Sequence, residues 1–194
     1  MTSYNRYGSN NMNYLWIIMI LNFFVFLATM FNNDLIYVFG LSPLTCLKYP
    51  WTILTSMFTH GGFWHIVANM LTLYFFGSFL IRLIGSGRMV AIYMIGGLAG
   101  NLLFILIGLS GILGGSPFAI AVGASGAVFA LGGTLAILAP NIKVIMFPIP
   151  IPMPLWVAVI GGFFILSLLP GIAWEGHLGG LIIGLLAGLY LKKR

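Results

Sequence analysis

The chain has 194 residues, 61% of them hydrophobic and 5% charged. So few charges cannot cover the surface of a soluble fold, which excludes the soluble globular class and points to a membrane protein with several spans. The net charge of +6 does not indicate a nucleic-acid partner, because the bases stand singly between apolar runs and read as topology signals.

Residues 1–13 form a polar tail with four asparagines and Arg6. Tyr14 to Phe31 follows as an apolar run long enough to span a bilayer, with no small-x-small cleavage site after it. It reads as a first transmembrane helix and not as a removed signal peptide. The connection that follows, residues 32–63, is long, poor in charge and rich in large apolar side chains such as Tyr37, Phe39, Trp51 and Phe58. A connection of this kind is expected to pack on the membrane or partly within it. It also holds the one cysteine, Cys46, read as a free thiol; a single cysteine excludes an internal disulfide and any multi-cysteine metal site.

Five further apolar runs occupy residues 64–83, 89–109, 118–139, 154–169 and 173–191. Pro148, Pro150, Pro152 and Pro154 precede the fifth span at every second position. That spacing forbids helix and favours an extended entry, with Pro154 tolerated in the first helical turn. Pro170-Gly171 ends this span. The expectation is one all-α polytopic membrane domain over residues 1–194 with six transmembrane helices.

Six spans put both ends on one side. Arg6, Arg82, Arg88, Lys143, Lys192, Lys193 and Arg194 fall on that side. Lys48, Asp34 and Glu175 fall on the other. The positive-inside rule makes the basic side cytoplasmic, most simply at the plasma membrane. His65 and Asn69 then lie near the start of the second span, Ser125 in the first third of the fourth, and His177 near the start of the sixth. All four occupy the outer half of the membrane at similar depth.

The residue inventory narrows the chemistry. Two acids, both assigned to loops, cannot form the paired carboxylates of an aspartyl mechanism. Three histidines without a His-Glu-x-x-His motif do not make a zincin, and no metal is expected. A proton-coupled transporter would spread ionisable groups along a path across the bilayer, whereas here they cluster at one depth. Serine activated by histidine remains: a hydroxyl becomes a nucleophile when a base takes its proton. Gly123-Ala124-Ser125-Gly126 and Gly176-His177-Leu178-Gly179-Gly180 supply the two partners. His65 and Asn69, four residues apart and so on one helix face, can donate to an oxyanion, as can the Ser125 amide. Gly123 and Gly126 allow close approach, Phe129 lies one turn after Ser125 to carry the imidazole ring, and the Gly180/Gly184/Gly188 spacing smooths one face of the sixth helix beside His177.

These motifs, with His65-Ile66-Val67-Ala68-Asn69 and Trp51…Phe58-Thr59-His60 of the first loop, resemble those of the rhomboid intramembrane serine proteases over essentially the whole chain. The resemblance implies a rhomboid-like six-helix bundle in its minimal form, with a Ser125–His177 dyad. It also implies an oxyanion site from Asn69, His65 and the Ser125 amide. The implied activity is cleavage of transmembrane segments of other membrane proteins within the lipid bilayer, without a cofactor. Two departures stand out: Gly176 precedes the histidine where the family often has alanine, and Trp51-Thr52 stands where it often has Trp-Arg. The other readings are a non-catalytic rhomboid-like protein that binds client helices, and a small transporter. No acid is expected to orient His177. Glu175, two residues away, points elsewhere on a helix and is expected at the water interface, and Asp34 ends the first helix.

Overall fold

The computed structural model describes residues 11–146 and 149–193. Arg6, Pro148, Arg194 and most of the polar tail lie outside the described residues. In chain order the elements are α1 (Asn13–Phe31), α2 (Leu35–Phe39), α3 (Thr52–Thr55), α4 (Phe63–Ile84), α5 (Ser86–Ser110) and α6 (Ser125–Leu138). A hairpin of β1 (Lys143–Met146) and β2 (Ile149–Pro154) follows, then α7 (Leu155–Ser167) and α8 (Trp174–Lys192). Helices α1, α4, α5 and α8 are long and apolar enough to cross a membrane, whereas α6 and α7 are apolar but shorter. The protein is a helical membrane bundle. Its outward faces carry Ile17, Phe24, Phe75, Leu102 and Leu186, each more than half exposed, as suits contact with lipid chains.

Helix α6 is the centre. Ala130, Leu131, Thr134 and Leu135 on it are fully buried. Its contact with α8 is close because both surfaces are made of small residues. A Cβ at Gly180 would collide with the Gly126 carbonyl, and one at Gly184 with the Ala130 carbonyl. The Thr134 hydroxyl crosses the same interface to the Gly184 carbonyl at 3.0 Å. In lipid no hydrophobic force drives helices together, so this backbone-to-backbone proximity and the polar cross-link hold the pair.

The fourth apolar run does not form a helix along its whole length. Phe118 lies in a turn, residues 119–123 are non-helical with a strand-like bridge at Ala121, Ala124 is a bend, and the helix begins at Ser125. This stretch exchanges hydrogen bonds with the first loop: Leu41 N–H donates to the Ala121 carbonyl at 2.9 Å, and Ala121 N–H returns one to Leu41 at 2.8 Å. Gly123 N–H donates to the Ser56 carbonyl at 2.9 Å. Non-helical backbone at membrane depth is tolerated when protein supplies its partners, as the loop does here. Gly123 makes the turn into α6 with φ of 129°, a left-handed value that favours glycine.

The first loop is pinned from several sides. Trp51 Nε1 donates to the Val38 carbonyl at 3.0 Å, and Thr55 Oγ1 to the Phe39 carbonyl at 2.8 Å. Asn101 on α5 donates to the Ile53 carbonyl at 2.7 Å and to Ser56 Oγ at 2.9 Å. Thr52, standing where the family often has arginine, turns its hydroxyl to the Tyr49 carbonyl at 2.7 Å. Cys46 is buried in a small apolar cluster with Leu41, Phe104, Ile105 and Ala121.

Candidate active site

Ser125 is the first residue of α6, and His177 lies in the first turn of α8. The two helices meet through their glycines, so the side chains converge. His177 Nε2 stands 2.8 Å from Ser125 Oγ, within the distance expected of a nucleophile and its base. The close approach needs Gly126, since a Cβ there would come within 2.9 Å of the Gly176 carbonyl oxygen. Gly176 itself has open space around a Cβ, so alanine, the commoner family residue, would fit.

His177 is 6% exposed. The Phe129 ring lies over it at 4.7 Å between centroids and 35° between planes, and the Phe163 ring of α7 packs edge-on against Phe129 at 6.0 Å. Among the described residues none hydrogen-bonds to His177 Nδ1. Ring packing, not a carboxylate, holds the imidazole. Glu175 is not at the water interface as expected; it is 7% exposed. The first turn of α8 is sunk against α5, where a Cβ on Gly100 would strike the Gly176 carbonyl, and this carries Glu175 inside with it. Asp34 is exposed just past α1.

The late start of α6 changes what the Ser125 amide can do. In a helix running from Phe118, that N–H would donate to the Ala121 carbonyl. Here the Ala121 carbonyl accepts from Leu41, and the first helical bond runs from Val128 N–H to Ala124. The Ser125 amide thus has no hydrogen-bond partner among the described residues and is one of the free donors at a helix N-terminus, where the dipole also favours negative charge.

His65 is beside the serine loop: a Cβ on Gly123 would come within 2.8 Å of His65 Nε2. His60, which the sequence did not single out as a site residue, packs against it with ring centroids 5.0 Å apart at 67°. Burial, and then the neighbouring His65, pushes the loop residue His60 down to about 3, with the nearby Phe58 backbone opposing them; His60 is thus a neutral ring at ordinary pH. Asn69 is 7% exposed and donates through Nδ2 to the His65 carbonyl at 2.9 Å, one turn back in its own helix. A cavity of about 20 Å³, lined in part by Ser56, Asn101, Gly123, Ser125 and His177, adjoins the pair and has room for about one water. Ser56 and Asn101 escaped the sequence reading; the one signal was a lone amide within the apolar run of α5.

The family model described as the Rhomboid domain matches residues 48–194. Among curated relatives, the chain is 33% identical over 150 residues to rhomboid protein 1, mitochondrial, of Saccharomyces cerevisiae, covering 73% of this chain and 42% of that one. It is 37% identical over 147 residues to RHOMBOID-like protein 4 of Arabidopsis thaliana, covering 74% and 34%. It is 31% identical over 164 residues to rhomboid protease GluP of Bacillus subtilis, covering 82% and 30%. The matched stretch is less than half the length of each of these relatives. With the family model covering both glycine-flanked motifs of the site and the His65–Asn69 stretch, this chain belongs to the rhomboid family of multi-pass membrane proteins.

Proposed function

We propose that the protein is an intramembrane serine endopeptidase that cleaves transmembrane segments of other membrane proteins with a Ser125–His177 dyad. The observation that carries this reading is the 2.8 Å contact between His177 Nε2 and Ser125 Oγ in an apolar setting. Neutral His177 takes the hydroxyl proton as Oγ attacks the scissile carbonyl. The resulting oxyanion meets the unpaired Ser125 amide at the positive end of α6, with His65 and Asn69 as further donors. His177 returns the proton to the leaving amine, and water then hydrolyses the acyl-enzyme by the same route. Phe129 holds the imidazole plane while this happens. The charge pattern supports a site opening to the outer side of the plasma membrane with both ends of this chain cytoplasmic.

One reagent tests both chemistry and sidedness. A fluorophosphonate with a charged, membrane-impermeant tag is expected to label the protein from the outer face of sealed vesicles of known orientation, and to fail with Ser125→Ala. Labelling only after the vesicles are opened places the site on the opposite side. Absence of labelling in both conditions, from folded protein, leaves the client-binding reading standing in place of the protease.

Asn69 has a distinct expected signature. It holds the His65 carbonyl in the apo geometry and must release it to reach an oxyanion. Asn69→Ala is expected to lower the turnover rate by about tenfold to 10³ with little change in KM, the lower value applying if His65 and the amide compensate. If thermal stability falls while the rate per folded molecule stays at the wild-type value, Asn69 is helix glue only.

A further inference from the structure

The sequence anticipates an extended stretch before the fifth span but not that it pairs. β1 and β2 form an antiparallel hairpin in which Lys143 faces Pro154 and Val144 faces Met153. The ladder continues below it, where Leu155 N–H donates to the Ile142 carbonyl at 2.8 Å. Ladder donors alternate along a strand, so Met153 and Leu155 point at β1 and Pro154 away from it; a register shift then interrupts the ladder between Val144 and Met146. Pro150, Pro152 and Pro154 have no N–H to donate on either edge. A strand in which alternate residues lack a donor is a poor template for a further strand.

The hairpin is also apolar where it is most exposed. Ile145 of β1 and Ile151 of β2 are 66% and 64% exposed, and Lys143 is the one charged residue of the two strands. The hairpin runs without a break into α7, which has 13 residues. That helix is about 20 Å long, against a hydrocarbon core of about 30 Å. It cannot cross by itself, and the hairpin adjoins one of its two ends. Trp156, in the first turn of α7, is 48% exposed at that level, where amphipathic rings gather at a membrane interface.

We propose that the β1–β2 hairpin lies in the boundary between headgroups and acyl chains, with Ile145 and Ile151 seated in lipid, and so anchors α7 at the end of the bundle away from Ser125. The partner is the bilayer itself. Full immersion is excluded because the carbonyls of both outer edges, and the β1 amides, need water or headgroups. Apolar side chains on an interfacial element sit about 5–10 Å below the headgroup level.

The test is a depth measurement on the whole protein in phosphatidylcholine vesicles. In a Cys46→Ser background a single environment-sensitive fluorophore is attached at Ile151→Cys, with Lys193→Cys as an exposed reference past α8 and Ile165→Cys as a lipid-facing reference on α7. Lipids brominated near the headgroup are expected to quench position 151 at least about twofold more than position 193. Lipids brominated near the chain end are expected to quench 165 more than 151. A label at Ile145→Cys repeats the measurement should the change at 151 disturb folding. Quenching at 145 and 151 no greater than at 193, with free access for aqueous iodide, places the hairpin in water and overturns the proposal. Protection from both iodide and lipid bromine that vanishes on diluting the protein in lipid assigns the face to a second copy of the chain, and overturns it equally.

Discussion

Ser125→Ala and His177→Ala are each expected to reduce cleavage of a transmembrane substrate by at least about 10⁴, because a nucleophile and its base act as a unit and loss of either removes nearly all of the pair's contribution. Neither residue lies at the glycine contacts that bring α6 and α8 together; Ser125→Ala removes a single oxygen, whereas His177→Ala empties the space of a buried ring against Phe129. Thermal unfolding of Ser125→Ala in detergent should therefore match the unmodified protein, and His177→Ala should still fold but unfold at a lower temperature. In the same assay Glu175→Gln is expected to lose less than about tenfold. Among the described residues none bonds to His177 Nδ1, and the imidazole rests on Phe129 at 4.7 Å. Loss of a true third member costs about 10⁴. A loss of that size in folded Glu175→Gln would establish a triad, and near-normal cleavage by Ser125→Ala would remove the serine mechanism altogether.

Gly180→Val is expected to prevent the bundle from assembling. A Cβ at this position would overlap the Gly126 carbonyl oxygen, and the carbonyl carbon lies only 2.7 Å away. Both are backbone, so neither can move aside without shifting α6. Overpacking costs typically about 1–3 kcal/mol even where side chains can rearrange, and rigid backbone places this case at or beyond the upper end. Gly161→Ala in α7 is the control. Nothing lies within 4 Å of a Cβ there, and alanine is favoured over glycine in a helix by about 1 kcal/mol. The expected result is a large drop in folded yield and unfolding temperature for Gly180→Val, and no loss for Gly161→Ala. Equal behaviour of the two variants would mean that α6 and α8 are not in contact as described.

Membrane class, the apolar segments and the residues of the candidate pair were legible in the sequence, because each rests on a local property. Hydropathy is summed over a single run, and the scarcity of acids, histidines and cysteines excludes chemistries without reference to folding. The glycine spacing of α8 was legible for the same reason: residues four apart share a face of any helix. What a single run could not disclose is where backbone hydrogen bonds go. Residues 119–123 are as apolar as a helix, yet Leu41 and Ser56, far away in the chain, take up backbone groups of Ala121 and Gly123 and hold the stretch out of the helix. The hairpin is the same problem in reverse, since alternate prolines forbid helix without naming the strand that pairs with them.

Those non-local partners decide the features closest to the chemistry. The tertiary structure alone starts α6 at Ser125 and so leaves the serine amide unpaired. It alone sinks the first turn of α8 so that Glu175 is buried, stacks His60 on His65, and ties the first loop to Asn101. The physical reason is common to all four. Hydropathy reports which medium a residue prefers, whereas these features depend on which distant group satisfies a donor, or which glycine lets two backbones touch.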